Sequence, residues 1–133
     1  MYDLKKKTVF IVDDDPFWSS MLEQMLVELG HTDIVACGSG ADCIRNLHLR
    51  PSVIFLDYHL DDMNGLEVLK HIKSLLPDTT VIFCTAQEDI HTAVTAMRSG
   101  SFDYLLKSKT TRTELGAILK TLKETGVAGE KVY

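Results

Sequence analysis

The chain alternates between two hydrophobic rhythms. Thr8 to Val12, Val53 to Leu56 and Thr80 to Cys84 are continuous apolar runs with no polar alternation, the pattern of strands covered on both faces. Ile34 to Cys37 and Phe102 to Leu106 give two further short strands. Between these runs the apolar residues recur at steps of three and four, which predicts helices. The first carries Trp18, Met21, Leu22, Met25, Leu26 and Leu29 and stops at Gly30; the second runs through Ile44 and Leu47 and ends before Pro51. The third carries Leu66, Val68, Leu69 and Ile72 and stops ahead of Pro77. The fourth sets Ile90, Ala93, Val94 and Met97 on one side and runs to Gly100, and the last takes Leu115, Ile118, Leu119 and Leu122 to Gly126. Asp15 ahead of Pro16, Ser39 with Asp42, Asn64 with Glu67 and Thr111 with Glu114 supply the start signals of four of these helices. Strand followed by helix, five times over, implies a parallel sheet with helices on both faces and right-handed crossovers.

Composition narrows the class. With 133 residues, 45% apolar and 25% charged, the chain reads as one ordinary globular domain that needs no staples. The predicted domain runs from 1 to 126, with 127–133 a frayed tail. No apolar run approaches membrane-spanning length, and Val9 to Val12 is too short for a signal-peptide core, so the cytoplasm is the expected compartment. A net charge of -5, with no basic cluster beyond Lys5 to Lys7, argues against direct nucleic-acid binding. Cys37, Cys43 and Cys84 lack metal or disulfide spacing and read as buried or half-buried thiols. His31, His48, His71 and His91 are scattered singly and are expected in solvent.

The chemistry lies in what the strands deliver at their carboxyl ends: Asp13 and Asp14 after the first, Asp57 after the third, Thr85 after the fourth and Lys107 after the fifth. In an open α/β sheet these ends line one crevice, where ligands bind. Acids crowded there raise one another's pKa unless a cation compensates. All-oxygen donors suit Mg2+, or Mn2+. With an ammonium and a hydroxyl beside them, the acids can manage a phosphoryl group on a carboxylate oxygen.

These residues, in order and each at a strand end, resemble the receiver domains of two-component response regulators from Thr8 to about Thr125. The resemblance implies a flavodoxin-like, doubly wound, five-stranded parallel sheet of order 2-1-3-4-5. It implies that Asp57 takes a phosphoryl group from a phosphohistidine on a sensor histidine kinase or a histidine phosphotransfer protein. Mg2+ is then held by Asp14, Asp57 and the backbone carbonyl of His59, with Asp13 acting mostly through water. Thr85 turns toward the phosphate and Tyr104, three residues before Lys107, swings in behind it, so that the surface of the fourth helix, fifth strand and fifth helix is switched. Homodimerisation through that face is open, as is the choice between a stand-alone regulator and a receiver cut from a longer protein. Phe17 or Trp18, beside the rim, could contact a kinase helix.

Two positions depart from the family pattern. Asp61 stands where a proline is usual, which predicts a looser and more acidic loop. Ser108 follows Lys107 where a cis proline is usual. A cis bond before any other residue costs about 2.5–4 kcal/mol, so a trans bond and a shifted loop are expected. His59 and Gln87 flank the water path in relatives and are expected to set the lifetime of the acyl phosphate. Two other functions fit less well: a degenerate receiver that only binds partners, motivated by Asp61 and Ser108, and an aspartyl-nucleophile phosphate hydrolase. Such hydrolases usually carry a second Asp where this chain has His59, and they need a substrate cap for which 133 residues leave little space.

Overall fold

The computed structural model describes residues 7–86 and 90–125, the side chains of 90 and 123–125 excepted. Its elements follow the predicted alternation: β1 (Val9–Val12), α1 (Pro16–Glu28), β2 (Ile34–Cys37), α2 (Gly40–Arg45), β3 (Val53–Asp57), α3 (Gly65–Leu75), β4 (Thr80–Thr85), α4 (Ile90–Arg98), β5 (Asp103–Leu106) and α5 (Arg112–Thr125). The five strands form one sheet in the order β2-β1-β3-β4-β5, every pair parallel. The register aligns Val12 with Leu56 and Asp57 with Cys84, so the chain leaves β1, β3 and β4 at one edge.

Because successive strand residues point to opposite faces, each apolar run divides into two cores. Phe10, Val12, Ile54, Leu56, Val81 and Phe83 turn to one face and pack with Val68, Leu69 and Ile72 of α3 and Ala96 of α4. Val9, Ile11, Val53, Phe55, Ile82 and Cys84 turn to the other, against Trp18, Leu22 and Leu26 of α1 and Leu115, Leu119 and Leu122 of α5. Each such buried aliphatic or aromatic side chain contributes roughly 1.5–3 kcal/mol of transfer free energy. All three cysteines are buried, and burial pushes the Cys37 thiol up to about 11.

The start signals operate as read. Asp15 accepts the Phe17 N–H, Ser39 the Asp42 N–H, Asn64 the Leu66 N–H and Thr111 the Glu114 N–H, each satisfying a donor that a helix N-terminus leaves open. The second helix is shorter than its pattern suggests. It stops at Arg45, where the Asn46 side-chain amide donates to the Asp42 carbonyl at 2.8 Å, and a 3-10 turn over Leu47–Leu49 follows. The fully buried residue of α4 lies outside the group that the pattern aligns on one side. Ala96 meets the sheet, whereas Val94 and Met97 are exposed; a helix with small apolar residues on several sides has no unique inner face, and the alanine permits the closest approach. His31 is buried, not solvated, because its N–H closes the end of α1 on the Leu26 carbonyl at 2.9 Å and the turn at Gly30 (φ 96) folds it inward. His48, His71 and His91 are exposed.

Gly65 opens α3 against the back of Asp57. A Cβ there meets the Asp57 carbonyl oxygen at 2.8 Å and Tyr58 Cα and Phe83 Cε1 at 2.9 Å, two of them backbone atoms that cannot give way cheaply. Gly65→Ala is therefore expected to destabilise the fold by about 1–3 kcal/mol. Gly38→Ala, with nothing within 4 Å of the added carbon, serves as the near-neutral control in urea unfolding.

Candidate functional site

The predicted rim residues converge. Asp57 is the last residue of β3, Thr85 the last of β4, and Asp13 and Lys107 directly follow β1 and β5. The Tyr58 N–H extends the β3–β4 ladder to the Cys84 carbonyl at 3.1 Å, and the Asp13 N–H reaches the Cys37 carbonyl at 3.0 Å. Both acids are thus fixed by sheet hydrogen bonds one residue beyond the apolar runs. Asp13 and Asp57 are buried at 4% and 6% exposure, and Asp14 is half-buried. One carboxylate oxygen from each of Asp13, Asp14 and Asp57 lies within 4.8 Å of the other two.

Lys107 Nζ answers this charge. It lies 2.7 Å from Asp13 Oδ2 and 3.6 Å from Asp57 Oδ2, and 5.6 Å from the centroid of the Trp18 ring, a cation–π contact. Burial alone would depress the Lys107 ammonium, but the Asp13 hydrogen bond and the Asp57 and Asp13 charges outweigh it and raise its pKa. At Asp57 burial dominates. It lifts the carboxyl from 3.8 to about 6, opposed by the His59 N–H, reinforced by Asp13, relieved by Lys107 and reinforced again by Asp14. The His59 N–H donates to Asp57 Oδ1 at 3.1 Å, while the His59 side chain is exposed.

Thr85 is buried, and Tyr104 is half-buried against the same core face as Phe83, its partner in the β4–β5 register. Among the described residues no peptide bond is cis. The Lys107–Ser108 bond is therefore trans, and a 3-10 turn over Lys107–Lys109 carries the lysine to the acids without a proline. Gln87 and the tail from Val127 lie outside the described residues.

The loop after β3 is acidic as expected, but it is not loose. The Asp61 N–H donates to Asp14 Oδ2 at 3.0 Å. Asp62 accepts the Gly40 N–H at 3.0 Å and the Ala41 N–H at 2.9 Å, capping α2 from a distant part of the chain; these bonds hold its carboxyl below the usual range. A backbone bridge between His59 and Asn64 closes the loop on itself. Sequence reasoning missed Asp62, whose partners are more than twenty positions away. Trp18 was read only as core or as a kinase contact; its place on the first turn after the acids was the available hint of its position beside Lys107.

A hydroxyl, an amine and three hard carboxylates stand at one edge of a 2-1-3-4-5 sheet. The chain belongs to the response regulator receiver domain family, whose model matches residues 9–120. It is 43% identical to the luminescence regulatory protein LuxO of Vibrio campbellii over 98 residues, 73% of this chain but 21% of LuxO. To the probable transcriptional regulatory protein TcrX of Mycobacterium tuberculosis it is 31% identical over 121 residues, 90% of this chain and 51% of TcrX. The chain thus spans only a part of these curated relatives. The BeF3-activated receiver domain of DrrB from Thermotoga maritima superimposes with a TM-score of 0.79 at 27% identity, covering 89% of this chain and 97% of that one.

The donor set fits a divalent cation. Every candidate side-chain ligand is a carboxylate oxygen, the preference of Mg2+ and Mn2+, and three carboxylates face the Lys107 ammonium. Folded Asp57 holds its proton more tightly than unfolded Asp57, so its contribution is most favourable below pH 4 and is lost as the pH rises through about 6. Without divalent cation, Asp57→Asn is expected to stabilise the protein at pH 7 by on the order of 1–2 kcal/mol, after allowance for solvent screening. Thermal melts at pH 4.5 and 7 check this: the gain should shrink at the lower pH.

Proposed function

We propose that Asp57 is the phosphoacceptor of this receiver and takes its phosphoryl group, with Mg2+, from a phosphohistidine on a sensor histidine kinase or a histidine phosphotransfer protein. The observation that carries this is the placement of one buried carboxylate, Asp57, between two further acids and an amine on a single rim. In the transfer, an Asp57 carboxylate oxygen bonds to phosphorus as the phosphorus–nitrogen bond of the donor breaks, and the electron pair returns to the imidazole. Asp14, Asp57 and the His59 carbonyl, with Asp13 mostly through water, would hold a divalent cation, which when bound would supply charge neutralisation on the phosphoryl oxygens. Lys107, already raised in pKa by its acid neighbours, stays protonated to pair with one of those oxygens. The His59 N–H holds Asp57 Oδ1 and thereby orients the nucleophile.

Thr85 and Tyr104 form the proposed switch. Thr85 ends the strand beside Asp57, and Tyr104 lies beside Phe83 on the same sheet face. Reversing a state ratio from 1:99 to 99:1 takes about 5.5 kcal/mol, a scale within reach of a dianion that gains a hydroxyl and an ammonium in a partly dry cleft. The exposed Val94 and Met97 of α4 are the apolar part of the face that would change, and a second copy of the chain is one candidate for it. Residues 1–126 would constitute the receiver and 127–133 a tail. The approach of Lys107 to Asp57 without a proline at 108 speaks against a degenerate, binding-only domain. Among the described residues no helix is long and apolar enough to cross a membrane.

Incubation with acetyl phosphate and Mg2+ should add one phosphoryl group by intact-mass measurement. The adduct should be absent from Asp57→Asn and from Mg2+-free wild type. An unmodified wild-type mass with every phosphodonor tried, including a phosphorylated histidine phosphotransfer protein, would refute the assignment.

A further inference from the structure

The rim carries one acid more than the three that face one another. Asp61 stands on the loop after β3, and its backbone N–H donates to Asp14 Oδ2 at 3.0 Å. That bond brings the Asp61 residue, and the acid it carries, next to the Asp14 carboxylate. The position is a held one. The next residue, Asp62, is tied to the Gly40 and Ala41 N–H groups on the far side of the loop. A fourth acid is therefore held, through its backbone, next to one of the three that face one another.

We propose that Asp61 is a fourth acid of the cation site, which fixes Asp14 through its backbone N–H and, through its charge, biases the rim toward a divalent cation and against an incoming phosphoryl dianion. The inference rests on the reading of the rim as a Mg2+-dependent phosphoacceptor site. Ionised Asp13, Asp14 and Asp57 against Lys107 sum to a charge of -2. A divalent cation cancels that. With Asp61 included the rim keeps one negative charge after the cation binds, so the same side chain that attracts the ion opposes the dianion that follows. Asp61 is exposed, so the effect belongs to the screened, salt-sensitive range.

Two substitutions separate its two roles. Asp61→Asn removes the charge and keeps the backbone N–H; Asp61→Pro removes both. The affinity of the phosphate-free protein for Mg2+ alone is measured by calorimetry, or by the fluorescence of Trp18, the single tryptophan, which lies 5.6 Å from Lys107 Nζ. Asp61→Asn is expected to weaken Mg2+ binding about threefold to tenfold, and Asp61→Pro at least as much. At saturating Mg2+, binding of beryllium trifluoride, a phosphoryl mimic, should tighten in Asp61→Asn. Both differences should shrink as salt is added. Unequal signs for the two ligands are the discriminating result, since a damaged site would lose both. Equal Mg2+ affinity in wild type and Asp61→Asn, or parallel weakening of both ligands, would overturn the role of Asp61. A wild type that binds no Mg2+ would instead overturn the phosphoacceptor reading beneath it.

Discussion

The contact on which the rim depends is the ion pair between Lys107 and Asp13, 2.7 Å across the crevice. It braces the residue that follows β1 against the residue that follows β5, and Asp57 lies beneath it. Removing two ions from water is expensive, and such a pair is tolerated only where further partners complete it. The Asp15 N–H, 2.9 Å from Asp13 Oδ1, is one; the second carboxylate, Asp57, and the Trp18 ring are others. With the lysine held there, Asp57 has an amine 3.6 Å from its carboxylate. Order at the site is thus supplied by the sheet, because all three residues are placed by strand ends.

The same arrangement leaves the site electrostatically unfinished. Three carboxylates face the Lys107 ammonium, and burial, with the charges of Asp13 and Asp14 added, raises the pKa of Asp57. A cation or a proton on the rim relieves that charge. Binding energy and fold stability are accordingly linked at one side chain. A site so poised responds to the arrival of charge, which is what a signalling domain requires.

Much of this was legible in the sequence because its causes are local. Continuous apolar runs mark buried strands, and Asp13 and Asp57 are the first acids after two of them. Asp15, Ser39, Asn64 and Thr111 cap helices that begin within three residues of them. What escaped was set by packing between distant segments. Periodicity groups residues on a helix face without saying which face meets the sheet, so the grouping of Val94 with Met97 does not reveal that Ala96 is the residue that meets it. His31 was assigned to solvent because a lone histidine carries no signal of the turn that buries it. The loop at Asp61 was expected to be slack for want of a proline, yet a residue with an N–H can tie itself to Asp14 as a proline cannot. Family resemblance supplied the roles of Thr85, Tyr104 and the His59 carbonyl; the residues alone gave only their positions.

The Asp62 clamp has a mechanical corollary. Its carboxylate spans the first two residues of α2, and a methyl group at Gly40 would collide with Met63 of the same loop, 2.6 Å from Cγ. The segment after Asp57 and the start of that short helix are therefore coupled like links of one chain. A displacement of the loop would have to carry the start of the helix with it or break both hydrogen bonds, which ties the end of the middle strand to the β2 side of the sheet.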